Sequence, residues 1–350
     1  MKLEQNVPLA PLTTFKVGGP ARYFVRAENE SAVREAVDFA RQKNLPLFIL
    51  GGGSNLVIAD SGFPGLVLQI GITGIEQGSG KGIFTAGAGE DWDNFVAYSV
   101  ERNYGGIECL SGIPGSVGGT PVQNVGAYGQ EVAETIVRAR VLDLDSGQIR
   151  EIENRDSGFA YRTSIFNTSA RGRYIVLQVT FRLTREAAPR IEYADLKKLF
   201  AGRNSAPTLA ETREAVRKIR RSKAMLIEAG DPDCRSAGSF FKNPMVMPAE
   251  CDRINRSNAA SGDRVPQFTG AEGKLKISAA WLVERAGFHR GYARGAVGIS
   301  SKHALAIVNR GGATAAEIIA LKNDIQSAVQ EKFGIALQPE PVLVGFDAAN

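Results

Sequence analysis

Histidine is nearly absent from this chain, with only His289 and His303 in 350 residues. That leaves little material for a histidine-rich metal centre or a Ser-His-Asp triad. Cysteine is scarce as well. Cys109, Cys234 and Cys251 are odd in number and far apart, and they form no C-x-x-C pair. They read as reduced thiols, with no disulfide frame and no metal site. No apolar run approaches the roughly 20 residues of a membrane span. The opening MKLEQNVPLA lacks both a basic n-region and an apolar h-region. We therefore expect a cytoplasmic protein with no membrane insertion. Nucleic-acid signatures and zinc-finger spacing are missing too, so no nucleic-acid partner is expected, and no obligatory protein partner is evident.

Acid excess is also lacking. The net charge is +5 and the pI is near 9.1, which favours an anionic partner. The basic residues are dispersed except for Arg217, Lys218, Arg220, Arg221 and Lys223. Such a run usually forms a solvated helix face. The 43% hydrophobic and 23% charged composition is that of a globular protein, long enough for two or three domains.

What the chain does have is glycine. "LFILGGGSNLVIAD" places Gly51, Gly52 and Gly53, then Ser54 and Asn55, between two apolar runs. Bare backbone after a strand lets main-chain N–H groups close around a phosphate. The spacing fits neither a P-loop, which needs Lys-Ser or Lys-Thr, nor the G-x-G-x-x-G dinucleotide fingerprint. One triplet is equally compatible with a plain tight turn.

The periodicity gives a strand at "ARYFVRA", a helix capped by Ser31 with Val33, Ala36, Val37 and Ala40 on one face, and a strand over Leu47 to Leu50. A β-rich stretch follows, with "GIFTAGAG", "ARVLDLDSGQIREI" and "YIVLQVTFRL" as strands and a helix from Asp91 to Asn103. Thr208 to Glu211 and Thr314 to Glu317 read as capping boxes opening helices. Gly334 closes the second, and "PVLVGF" is a final strand.

A second glycine-rich segment, "LSGIPGSVGGTPVQNVGAYGQE", decides the matter. Two such loops in neighbouring α/β regions, both without standard nucleotide patterns, point to a gripped diphosphate. A β-rich domain with many turns is the plain alternative.

"TTFKVGGPARYF", "LGGGSNLVIAD", "GIPGSVGGTPVQNVGAYGQE", "FAYRTSIF", "SAGSFFKNP" and "LQPEPVLVGF" stand in the order found in the UDP-N-acetylenolpyruvoylglucosamine reductases. The chain resembles that family over nearly its whole length. The resemblance implies an α/β (α+β) fold: two FAD-binding subdomains of the PCMH/vanillyl-alcohol-oxidase type, plus a third α/β domain for substrate. Residues 1–70, with a C-terminal strand at about 335–350, would form the first part, 71–200 the second, and 206–330 the substrate domain. It further implies NADPH as hydride donor, a nucleotide-sugar substrate, and a role in peptidoglycan synthesis, cell-wall biogenesis, cell shape and cell division. FAD would be held noncovalently, since no attachment histidine lies in the glycine loops, and no metal is implied.

Carried over residue by residue, the resemblance assigns Gly51, Gly52, Gly53, Ser54 and Asn55 to the cofactor. From the second loop it adds Gly112, Ile113, Pro114, Gly115, Ser116, Gly118, Gly119 and Gly126. Arg162, Ser239 and Glu340 match its catalytic positions, with Ser239 as proton donor. Tyr128, Tyr193, Lys223, Asn243 and Arg290 match substrate contacts. "IEYADL", carrying Tyr193, resembles the substrate-covering loop of the family's first form. Two departures stand out: "AMLIEAGDPDCR" is longer than expected, and Arg290 sits where relatives often carry lysine. Two other readings stay open on the residues alone, a non-catalytic flavin or nucleotide-sugar binder and a flavin oxidase of the same fold.

Overall fold

A computed structural model describes residues 1–258, 262–270 and 273–346. Residues 347–350 of the expected C-terminal segment lie outside the described residues. The chain forms two compact units: Met1–Val7 with Ala21–Gly53 and Pro64–Leu226, and Pro8–Pro20 with Ser54–Phe63 and Ile227–Asn350.

The first unit is built on two sheets. One runs in the order Glu4–Pro8, Pro20–Ala27, Phe63–Ile70, Leu47–Leu50. Its last pair is parallel, Leu47 opposite Leu66 and Leu50 opposite Gln69. Helix α1, Glu30–Gln42, covers this region and buries Val33, Ala36, Val37 and Ala40. Its cap is Asn29 rather than Ser31, because Asn29 is the extended residue whose side chain accepts the Ala32 N–H. Ser31 already lies inside the first turn and donates to Glu35 at 3.3 Å.

The second sheet is antiparallel, ordered Ile149–Glu153, Ile136–Asp143, Tyr174–Arg182, Ile83–Gly87, Ile75–Gln77. Helix α2, Trp92–Glu101, is capped by Asp91 and packs Trp92 and Phe95 against Phe181, with ring centroids 5.9 and 4.8 Å apart. Each such ring, taken fully out of water, contributes about 2 to 3 kcal/mol. The short helix α3, Ala194–Leu199, and helix α4, Leu209–Ser222, complete the unit. The expected Thr208–Glu211 capping box is present.

In the second unit, α5 (Pro248–Ser257), α6 (Ala279–Arg285) and α7 (Ala315–Phe333) pack on small sheets. Their core includes Phe240, Ile254, Leu282, Ile318, Leu321 and Ile325. Val342–Val344 pairs in parallel with Leu56–Ile58. α7 has the expected Thr314–Glu317 box and ends at Gly334 with φ +70°. Asp60 adds to its start, accepting the Ala315 and Ala316 N–H groups at 2.8 and 2.9 Å.

Candidate active site

The two glycine loops meet inside the first unit. A Cβ on Gly52 would stand 2.5 Å from the Gly115 Cα, so the bare backbone there answers first to the neighbouring loop. At Gly119 a Cβ would meet nothing within 4 Å. The loops also carry donors suited to an anion. Ser116 Oγ is buried without a hydrogen-bond partner among the described residues, and a Cβ on Gly51 would lie 2.9 Å from it. Among the described residues, Gly52 and Gly53 donate no backbone hydrogen bond within the chain. A diphosphate takes such groups, so the residues present fit the expected cofactor. Ser54 and Asn55 belong to the second unit. There the Asn55 amide donates to the Glu340 carbonyl at 3.2 Å.

Helix α4 anchors the second loop. Asp93 on α2 accepts the Gly112 N–H at 2.6 Å and pairs with Arg213 and Arg217. Burial works against the Asp93 charge, but Arg213, Gly112 and Arg217 outweigh it and hold the carboxyl below its usual range. Arg220 donates to the Gly112 carbonyl at 3.0 Å and is only 5% exposed. The solvated-face expectation is therefore corrected. Lys218 and Arg221 are exposed, whereas Arg217 is ion-paired to Asp93 and Arg220 is buried with its guanidinium on the Gly112 carbonyl.

At the end of α4, Lys223 pairs with Asp195 at 2.6 Å and lies 5.8 Å from the Tyr193 ring. Burial, which disfavours the ammonium, is overcome by Asp195 and Tyr193, and its pKa is raised. Tyr193 precedes α3, is 42% exposed and meets Tyr128 edge-on at 5.2 Å. Burial pushes the Tyr128 phenol up, against the pull of Arg220 and Lys223. The structure thus brings Tyr128, Tyr193 and Lys223 into one cluster. Arg162, also in the first unit, donates to the Gly126 carbonyl at 2.7 Å. Tyr128 and Arg162 hold φ of +50° and +54°. That left-handed backbone costs a non-glycine residue about 1 kcal/mol or more, and it concentrates at functional positions.

Ser239 and Glu340 belong to the second unit and are neighbours by backbone pairing, since the Glu340 N–H donates to the Phe240 carbonyl at 2.8 Å. Glu340 sits half-buried between Pro339 and Pro341, whose rings restrain the backbone on either side. Asn243 accepts the Ala279 N–H at 3.0 Å, so its oxygen holds the start of α6. Arg290 is exposed and lies 3.4 Å from Glu284. The residue that sequence reasoning missed is His303. Its Nε2 lies 2.9 Å from Ser239 Oγ. No local pattern links the two; only the fold brings them together.

The loop pair, unpartnered hydroxyl and α/β sheets suit a nucleotide-cofactor protein, and a family match makes it a flavin-binding one. Residues 21–153 match the family model described as an FAD binding domain. The expected mixed α/β, FAD-binding architecture is borne out. Residues 231–344 match the model described as the C-terminal domain of UDP-N-acetylenolpyruvoylglucosamine reductase. The chain belongs to the UDP-N-acetylenolpyruvoylglucosamine reductase family. It is 45% identical to the reductase of that name from Thermobifida fusca, over 97% of this chain and 98% of that one. With that from Saccharopolyspora erythraea it shares 46% identity, over 96% and 94%. The crystal structure of the Thermus caldophilus reductase matches in fold, with TM-score 0.68, 24% identity, and coverage of 98% and 99%. Among the described residues no group of His, Cys, Asp or Glu could hold a metal, and no helix is long and apolar enough to cross a membrane.

Proposed function

We propose that the chain reduces UDP-N-acetylglucosamine enolpyruvate to UDP-N-acetylmuramate in the cytoplasm. It would use NADPH and a noncovalently held FAD, in peptidoglycan precursor synthesis. The observation that carries this reading is the Ser239 hydroxyl, tied through Phe240 to Glu340, in a chain related to reductases nearly end to end. FAD, when bound, supplies the hydride that NADPH delivers and substrate C3 receives. The glycine loops and Ser116 Oγ hold its diphosphate. Arg162 grips the enolpyruvyl carboxylate through two N–H groups, stabilising the charge that builds as C3 gains hydride. Ser239 gives its proton to C2, and Glu340 orients the carboxylate end of the substrate. Lys223 offers its ammonium to the nucleotide diphosphate, with Tyr128, Tyr193, Asn243 and Arg290 as further contacts. The three-part division into two cofactor subdomains and a substrate domain belongs to the same proposal.

The test is anaerobic. Purified protein should be bleached by NADPH, and the oxidised flavin spectrum should return on adding the enolpyruvyl ether. Return only with oxygen would favour an oxidase, and no bleaching at all a binding protein.

A further inference from the structure

The Ser239–His303 contact poses a question of direction. A hydroxyl has one hydrogen and two lone pairs. If His303 Nε2 accepts, the serine hydrogen is spent on the imidazole and the residue becomes a nucleophile. If Nε2–H donates, the hydrogen stays free for another acceptor. The surroundings fix the backbone that carries the ring. Asp233, only 5% exposed, accepts Ser300 Oγ at 3.1 Å, and Ser301 N and Oγ at 2.9 and 2.7 Å. Ser300 Oγ in turn accepts the Lys302 and His303 N–H groups at 3.1 and 3.3 Å. On the other side, the Phe240 N–H donates to the Leu305 carbonyl at 2.8 Å, and the Ala306 N–H to that of His303 at 3.1 Å. Both ends of the Ser239–His303 bond therefore hang on cross-linked backbone.

We propose that His303 is a positioning residue for the reaction proposed above: it donates from Nε2 to Ser239 Oγ and so aims the hydroxyl hydrogen at the substrate. The inference rests on that functional reading. As hydride adds to C3, the electron pair of the double bond moves toward C2, the Ser239 O–H bond breaks and a C2–H bond forms. The charge left on Oγ is shared with the Nε2–H, and water returns a proton to the serine after turnover. The same N–H that aims the hydrogen thus stabilises the oxygen that loses it.

Two variants of the holoenzyme separate this from a structural role. His303→Leu removes the donor, while His303→Gln keeps an amide N–H at similar reach. In stopped flow, His303→Leu should retain FAD and accept hydride from NADPH at the wild-type rate. Its reoxidation by UDP-N-acetylglucosamine enolpyruvate should fall about 10²-fold, the size seen on losing one oxyanion donor. His303→Gln should recover about 10-fold or more of that loss. Unchanged reoxidation in His303→Leu, no recovery in His303→Gln, or an equal fall in both half-reactions overturns the proposal. A second measurement needs no variant of His303. With only two histidines in the chain, ¹⁵N NMR can assign each ring nitrogen in the resting holoenzyme. Protonated Nε2 on His303 is expected, and an unprotonated, acceptor-type Nε2 overturns the idea. Slow reoxidation in Ser239→Ala beside unaffected His303→Leu defeats this inference alone, whereas wild-type enzyme that never reoxidises with substrate defeats the functional reading with it.

Discussion

The glycine-loop cluster of the first unit and the Ser239 cluster of the second are held by different means. In the first, backbone rests on backbone: Gly52 against Gly115, with Asp93 and Arg220 satisfying the Gly112 amide and carbonyl. In the second, backbone pairing also carries the residues, and a side-chain hydrogen bond links Ser239 to His303. Where the two loops touch, at Gly52 and Gly115, the first arrangement tolerates little added volume. The second depends on which atoms carry hydrogen.

The sharpest way to break that contrast is Ser239→Ala. NADPH should still reduce the flavin at nearly the wild-type rate, while reoxidation by substrate slows about 10²- to 10⁴-fold, the usual share of a positioned general acid. Stopped-flow absorbance on the two half-reactions reads both numbers. An equal loss in each would mean that the second cluster, too, is a matter of shape.

Next in size is Gly52→Val. Forcing a branched side chain into backbone 2.5 Å away should cost about 3 kcal/mol or more, seen as lost flavin on gel filtration and a lower Tm. Gly119→Val should leave Tm nearly unchanged, because nothing lies within 4 Å of its Cβ. Any fall in flavin affinity there would report on the cofactor and not on loop packing. Equal Tm losses in both variants would erase the distinction.

A smaller effect sharpens the role of Asp93. Its folded pKa lies below the ordinary value of 3.8, so the ionised form stabilises the fold. That stability is fully present well above pH 3.8 and is lost as pH falls through the lower folded pKa. Asp93→Asn should therefore cost about 2 kcal/mol at pH 7, from charge-assisted bonds to Arg213, Arg217 and Gly112. The penalty should shrink toward zero in strong acid, where wild type is protonated as well. Urea melts at both ends of that range check it, and a pH-independent difference would point to packing.

How much of this was legible in the sequence divides along the same line. The loops announce themselves because glycine spacing is a local signal, and Thr208, Thr314 and Gly334 mark helix ends by local chemistry. The face of α4 was misread. Arg220 resembles any basic helix residue until Gly112 is placed beside it. His303 was missed for the same reason, since its partner lies far away along the chain and one hydrogen bond has no sequence period. Asn29 displaced Ser31 as the α1 cap because two candidate caps two residues apart differ only in backbone angle.

The parallel pairing of Val342–Val344 with Leu56–Ile58 has a consequence for biosynthesis. The second unit is discontinuous, and two of its segments, Pro8–Pro20 and Ser54–Phe63, emerge from the ribosome long before the rest. Through most of translation those segments lack their native partners, with apolar residues such as Phe15, Val57 and Ile58 unburied. Long-range pairing of this kind slows folding and prolongs exposure to chaperones and proteases. The loop that follows the glycine triplet, although made early, reaches its final form only after residues 342–344 have been synthesised.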